Sequence, residues 1–191
     1  LVTSSYRRSF LQDQGVDLSS VRAGNVIGGG DWAEDRLIPD ILRSFEKGEP
    51  VVIRNPNATR PWQHVLEPLS GYLILAQKMY NNTNKYAEGW NFGPNKNDVK
   101  PVDWILEKMI SKWPNSSWKL DKDYSPHEAC FLQLDILKAK SKLGWNPIWE
   151  LSFTLEKIIN WHRSWLNGED MQAVCLIEIE EYSKDMNNEN R

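Results

Sequence analysis

The residues best suited to chemistry fall in two short stretches. Residues 22–32 read Arg-Ala-Gly-Asn-Val-Ile-Gly-Gly-Gly-Asp-Trp. Glycines let the backbone approach a ligand closely, and their free N–H groups can form an anion-binding concavity. Asn25 adds a side-chain amide able to donate to a phosphate or sugar oxygen. The competing reading of this stretch is a plain turn. It is not the G-x-G-x-x-G fingerprint of a dinucleotide site, and the chain carries no P-loop. The second stretch begins at Arg54 and runs through a Pro/Asn turn to Arg60-Pro61-Trp62-Gln63-His64. Arginine suits phosphate because its planar fork donates two parallel hydrogen bonds. The competing fate of each arginine is a surface ion pair.

Other chemistries find less support. His64, His127 and His162 show no metal-ligand spacing, and Cys130 and Cys175 are too isolated for a zinc site. No nucleophile elbow accompanies the serines. His162 falls on the apolar face of a predicted helix and reads as a packing histidine. The 10 tryptophans imply large apolar contacts, in a core or on a sugar-binding face.

The elements that must position these residues can be read from periodicity and turn signals. A helix is expected over residues 2–14, with Tyr6 and Phe10 one turn apart and Gly15 as its stop. A short strand follows over 18–23, then a glycine-rich loop over 24–32. A helix over 36–47 tolerates Pro39 in its first turn and ends at Gly48. Residues 51–54 read as a β-branched strand, 55–59 as a turn and 63–66 as extended. Further helices are expected from Pro68 to about Tyr80, from Pro101 to just before Pro114, and from a cap at Asp135 to Gly144. Short strands are expected at 90–92 and 118–120, and 131–134 alternates weakly. Ser152 is the expected cap of a helix whose stripe is Leu155, Ile158, Ile159, His162, Trp165 and Leu166, ending at Gly168. A last helix over about 170–184 is plausible. The seven acids beyond residue 168 suggest a solvated, partly frayed terminus. Alternating helices and strands in the first half and helices in the second predict an α/β sheet edge with a mainly helical lobe.

Composition bounds the answer. The chain has 191 residues, 23 Lys and Arg, 26 Asp and Glu, a net charge of -3 and 40% apolar residues. That is globular composition, and its balanced charge argues against a nucleic-acid partner. The longest apolar runs are too short to cross a bilayer, so no membrane partner is expected. Two cysteines make no disulfide framework, which favours a reducing, cytoplasmic compartment. A chain that opens at Leu1, on an uncapped helix, is expected to be part of a longer protein.

Six stretches together carry a family resemblance. They are RAGNVIGGGDW (22–32), DRLIPDILRSFEKGEPVVIRNP (35–56), RPWQHVLEPLSGYL (60–73), WNFGP (90–94), PHEACFLQLD (126–135) and LGWNPIW (143–149). In this order they resemble the C-terminal part of the extended short-chain dehydrogenase/reductases that act on nucleotide sugars, the NAD-dependent epimerase/dehydratase family. The GGGDW loop and RPWQHVLEPLSGY point to the branch of 4,6-dehydratases that take CDP-glucose. Relatives outside that branch usually have Arg-Asp-Trp where this chain has Arg60-Pro61-Trp62.

The resemblance implies a Rossmann-type α/β fold, with residues 1–25 as the tail of the dinucleotide domain. Residues 26–191 would form the substrate lobe, interleaved with the last sheet strands. It implies a CDP-sugar substrate, NAD as a recycled cofactor, and a homodimer or higher homo-oligomer with the first helix at the interface. In the reaction, NAD takes a hydride from C4 of CDP-glucose. Water leaves across C5 and C6, and the hydride returns to C6 to give CDP-4-keto-6-deoxyglucose. By the same resemblance Asn25 faces the pyrophosphate or sugar, and Arg60 clamps the pyrophosphate. Leu37 and Arg54 lie near the nucleotide, His127 and Glu128 line the substrate side, and backbone at Val26 and Ile27 touches the nicotinamide. The family's Tyr-x-x-x-Lys pair and glycine-rich fingerprint are absent. The catalytic residues are therefore expected upstream of Leu1, and this polypeptide alone is expected not to turn over substrate. Two alternatives are another nucleotide-sugar epimerase or dehydratase, and a non-catalytic sugar-binding module. The second would need several tryptophans exposed in one patch.

Overall fold

A computed structural model describes residues 1–81, 85–121 and 131–189. The chain opens with α1 (Val2–Tyr6), continued by a π turn (Arg7–Leu11) and a 3-10 turn (Gln12–Gln14). Gly15 closes the run in the left-handed region at φ 69°, where glycine carries no steric penalty. Next come β1 (Ser20–Ala23), β2 (Asn25–Ile27), α2 (Leu37–Lys47), β3 (Val51–Ile53), β4 (Thr59–His64) and α3 (Leu66–Asn81). They are followed by β5 (Gly89–Phe92), β6 (Val99–Pro101), α4 (Val102–Lys112), β7 (Trp118–Leu120), α5 (Leu151–Leu166) and α6 (Met171–Glu189).

The strands form three small sheets ordered β1-β5, β2-β4-β6 and β3-β7. Pairing is parallel except between β4 and β6. Parallel neighbours require crossovers, and helices supply them, as expected of an α/β chain. Helix α2 shows how the sequence sets its own limits. Ile38, Ile41, Leu42 and Phe45 are all buried on one face. Pro39 sits in the first turn, where its missing N–H costs little. Gly48 ends the helix at φ 65°, its N–H returning to the Phe45 carbonyl and that of Glu49 to Ser44.

Two cores hold the elements together. The larger packs α2, α4, α5 and the strands β3 and β4 around Ile41, Ile105, Leu106, Met109, Ile158 and Ile159. The smaller joins α3, β5 and the segment before α5 through Leu75, Trp90, Phe92 and Trp145. Five of the ten tryptophans are buried, three are half-buried, and only Trp32 and Trp165 are exposed, at 46% and 40%.

Several expectations need correction. Residues 25–27 form a strand inside the expected glycine loop, paired with residues 62–64 of β4. The extended segment expected at 63–66 begins earlier, at Thr59. Phe131 makes an isolated bridge to Thr59 rather than a strand. Ser152 lies inside α5, whose first N–H, on Leu151, is met by Asp98 Oδ1 at 3.1 Å. That cap comes from across the fold, so no local motif announces it. The α5 stripe buries Leu155, Ile158, Ile159 and His162 but leaves Trp165 and Leu166 exposed.

The expected last helix is present as α6 and runs on to Glu189, so the acidic segment is helical rather than a frayed tail. Its Tyr182 is 4% exposed and donates to Glu67 Oε2 at 2.8 Å, and its Glu181 pairs with Lys157 of α5. Among the described residues, no helix is long and apolar enough to cross a membrane.

Candidate functional site

Three strands and one helix start converge on a cavity of about 580 Å³, a volume typical of small-ligand sites. Its wall includes Asn25, Val26 and Ile27 of β2 and Leu37 of α2. It also includes Arg54, just past β3, and Arg60 and Trp62 of β4. Every residue assigned above to substrate or cofactor within the described segments therefore meets in one place. His127 and Glu128 lie outside the described residues.

The register explains the convergence. Asn25 of β2 pairs with Trp62 of β4, and side chains two apart on a strand share a face. Asn25, Ile27, Arg60 and Trp62 therefore share one side. The chain can bring β2 so close to β4 only because residue 24 is glycine. A Cβ there would stand 2.3 Å from the Pro61 carbonyl oxygen. Gly29 answers to packing as well, since a Cβ would fall 2.2 Å from the Trp161 ring. These two glycines admit protein neighbours, a use distinct from both the nest and the plain turn. Gly24→Ala is expected to lower stability by about 1–3 kcal/mol, because backbone cannot rotate away as a side chain can. Urea unfolding would check this, and an unchanged midpoint would contradict it.

Charge is arranged around the cavity in pairs. Arg54 Nη2 stands 3.4 Å from Asp35 Oδ1, and Arg36 Nη1 stands 3.4 Å from Asp31 Oδ2. Arg60 Nη1 donates to the Thr59 carbonyl at 3.1 Å. In the β4–β6 ladder Arg60 lies directly opposite Lys100. Like charges facing each other in an antiparallel pair repel. Asp31, Asp35, Arg36 and Trp62 were not singled out by residue type. They lie within the matched stretches, so adjacency to Asn25, Leu37 and Arg60 was the available signal.

Below the cavity, β4 ends in a buried histidine. His64 is 1% exposed, and its Nδ1 accepts from the Leu66 N–H at 3.3 Å. Nε2 lies 3.8 Å from Glu178 Oε1. Burial, with a contribution from Lys157, lowers its pKa to about 4 from 6.5. The folded state thus resists a proton that the unfolded chain accepts. This contribution to stability is complete above pH 6.5 and is lost as pH falls towards 4. Its size is roughly 3 kcal/mol. Glu178 works in the opposite direction, since burial raises its pKa and its ionisation with rising pH favours the unfolded chain. Denaturation at a series of pH values should show a steeper loss between pH 6.5 and 4 in the wild type than in His64→Leu. Equal slopes would assign the acid sensitivity to other groups. His162 is a packing histidine as expected, 2% exposed with Nε2 2.6 Å from Glu46 Oε1.

The described residues contain no cluster of three or more potential metal ligands. A dinucleotide would find one wall here. The end of β2 offers the cavity its backbone at Val26 and Ile27. No glycine-rich fingerprint is present to cradle its phosphates.

With this geometry in place, the relatives become informative. No protein-family model matches the chain. CDP-glucose 4,6-dehydratase of Salmonella typhimurium is 55% identical over 188 residues, covering 95% of this chain and 52% of that protein. UDP-glucuronic acid decarboxylase 1 of Xenopus tropicalis is 22% identical, covering 84% of this chain and 37% of that protein. Among solved structures, UDP-glucuronic acid 4-epimerase from Bacillus cereus, in complex with UDP-glucuronic acid and NAD, superposes with a TM-score of 0.65 at 20% identity. It covers 85% of this chain and 49% of its own. dTDP-glucose 4,6-dehydratase from Bacillus anthracis, in complex with NAD, gives 0.67 at 16%, covering 85% and 48%. The fold is that of the extended short-chain dehydrogenase/reductases. The Salmonella relative bears out the resemblance read from the sequence, and the low-identity structures carry the fold alone. The chain spans about half the length of the Salmonella enzyme.

Proposed function

We propose that this chain supplies the nucleotide-sugar-binding half of a CDP-glucose 4,6-dehydratase. One observation carries the reading. Asn25, Leu37, Arg54 and Arg60, with Val26 and Ile27, all line a single cavity in a chain 55% identical to that enzyme. Arg60 and Asn25 hold the diphosphate in this reading, one by charge and one through its amide. Leu37 and Arg54 lie towards the nucleoside, and Val26 and Ile27 form the wall beside the nicotinamide. NAD, when bound beside Val26 and Ile27, would supply a reversible hydride acceptor: with C4 oxidised to a carbonyl the C5 proton would be acidic enough for loss of water across C5 and C6, and the hydride would then be available for C6. The residues of this chain contribute binding and orientation, while proton transfer falls to the rest of the intact protein. A nucleotide sugar and NAD agree with a cytoplasmic setting.

Assembly as a homodimer is supported by the apolar face that the first helical segment shows to solvent. Tyr6 and Phe10 are 53% and 56% exposed with ring centroids 4.9 Å apart.

The sugar-binding-module reading finds less support. Its test was a patch of several exposed tryptophans, and only the Trp32–Trp165 pair, with ring centroids 4.5 Å apart, is exposed.

The deciding experiment is competition on the intact protein. CDP should displace labelled CDP-glucose at lower concentration than UDP or dTDP, and CDP-glucose should yield the 4-keto-6-deoxy sugar nucleotide. Equal displacement by all three would move the assignment to a general nucleotide-sugar enzyme.

A further inference from the structure

Asp35 has no assigned role, yet its conformation is unusual. It and Asn115 are the two non-glycine residues with positive φ among those described, Asp35 at 58°. Aspartate is one of the few side chains that enter this region readily, so the turn holds its carboxylate at the cavity wall without a large penalty. The ion pair it forms does not account for that placement. Its Oδ1 is 3.4 Å from Arg54 Nη2 and the two side chains are 78% and 55% exposed, so the attraction is weak in water. What the turn does achieve is juxtaposition. A carboxylate that only accepts hydrogen bonds stands beside a guanidinium that only donates them, and both line the cavity with Leu37 and Asn55.

We propose that the Asp35–Arg54 pair reads the pairing edge of a cytosine base. This inference rests on the CDP-sugar reading above and deepens it. Cytosine presents an exocyclic amino donor beside two acceptors, ring N3 and O2. A carboxylate beside a guanidinium is the complementary row: Asp35 accepts from the amino group while Arg54 donates to N3 and O2. Uracil and thymine place a carbonyl oxygen where cytosine has the amino group, and a ring N–H where it has N3. The Asp35 carboxylate would then face an oxygen and Arg54 an N–H. Discrimination arises as much from these mismatches as from the matched contacts. The planar base would also cover both charged groups, strengthening bonds that are weak in open water.

Calorimetric titration of the intact protein with CDP and with UDP tests the idea. Asp35→Asn and Asp35→Gly serve as variants, because both replacements tolerate a positive φ. The wild type is expected to prefer CDP at least tenfold. In both variants the preference should fall to within about threefold, with CDP binding weakened. Two results would overturn the proposal while leaving the function intact. One is a wild-type preference retained in both variants. The other is an equal gain for both nucleotides, which would show Asp35 acting only as a charge near the diphosphate. A wild type that binds neither nucleotide would instead overturn the function itself.

Discussion

Arg60→Ala is expected to weaken CDP binding by the intact protein by about 2–5 kcal/mol, at least thirtyfold, by analogy with truncated charge pairs that are covered on binding. Arg60 is half-buried, lines the cavity, and has one nitrogen committed to the Thr59 carbonyl. Its guanidinium is therefore partly oriented before ligand arrives, which reduces the entropy lost on clamping a phosphate. The register adds a second consideration. Lys100 stands directly opposite in the register, so a like charge faces Arg60 across the ladder. Stability should thus fall far less than affinity. That combination separates a binding role from a structural one. Calorimetric titration for affinity and urea unfolding for stability, on the same preparation, would read both. Unchanged affinity for CDP would remove Arg60 from the site. Arg60→Lys should recover only part of the loss, because an ammonium cannot donate two parallel bonds.

Local patterns announced much of this architecture. The stripe of α2, its tolerated Pro39 and its Gly48 stop all lie within 12 residues of one another, so the segment specifies itself. The glycine and arginine stretches at 22–32 and 54–64 were conspicuous for the same reason. Residue types left their roles open, and only the resemblance joined them into one site. The features that escaped depend on distant partners. Strand β2 is three residues between glycines, and it exists because β4 accepts its hydrogen bonds. The cap of α5 is Asp98, 53 residues away. Asp35 looked like an ordinary charge before α2, and only its φ and its position opposite Arg54 set it apart. Helix α6 was hardest to place. It lacks a clean apolar stripe, with Leu176, Ile177 and Ile179 exposed and Glu178 partly buried. Its buried anchor is one tyrosine that reaches one carboxylate across the fold, helped by the Trp149 Nε1 bond to Asp185.

That carboxylate is Glu67, and Glu67→Ala is expected to be strongly destabilising. Glu67 is 0% exposed at the start of α3. Its oxygens accept from the Ile148 N–H at 3.1 and 3.0 Å, the Trp149 N–H at 2.7 Å and the Tyr182 hydroxyl at 2.8 Å. Its backbone carbonyl accepts from Trp145 Nε1 at 3.2 Å. One side chain thus ties α3, the lead-in to α5 and α6 together. Alanine takes the carboxylate from the Ile148 and Trp149 N–H groups, leaves the Tyr182 hydroxyl only its contact with Ser70 Oγ at 3.1 Å, and opens a cavity. The cost should be about 3–5 kcal/mol, a large share of the 5–15 kcal/mol typical of a whole domain. Tyr182→Phe removes one of these bonds and should cost roughly 1.5–3 kcal/mol, as for a hydrogen bond to a charged group. Combining Glu67→Ala with Tyr182→Phe should cost less than the sum of the two, because the bond between them is lost only once. Urea midpoints at constant slope would measure all three variants. Additive losses would mean that water replaces the carboxylate and that α6 is held by its other contacts, such as Lys157 to Glu181 and Trp149 to Asp185. The same mutants bear on the cavity, since Glu67 follows His64 by three residues. If the network anchors the end of β4, CDP affinity should fall with stability in Glu67→Ala but remain in Tyr182→Phe, which leaves the contacts of Glu67 to Ile148 and Trp149 in place.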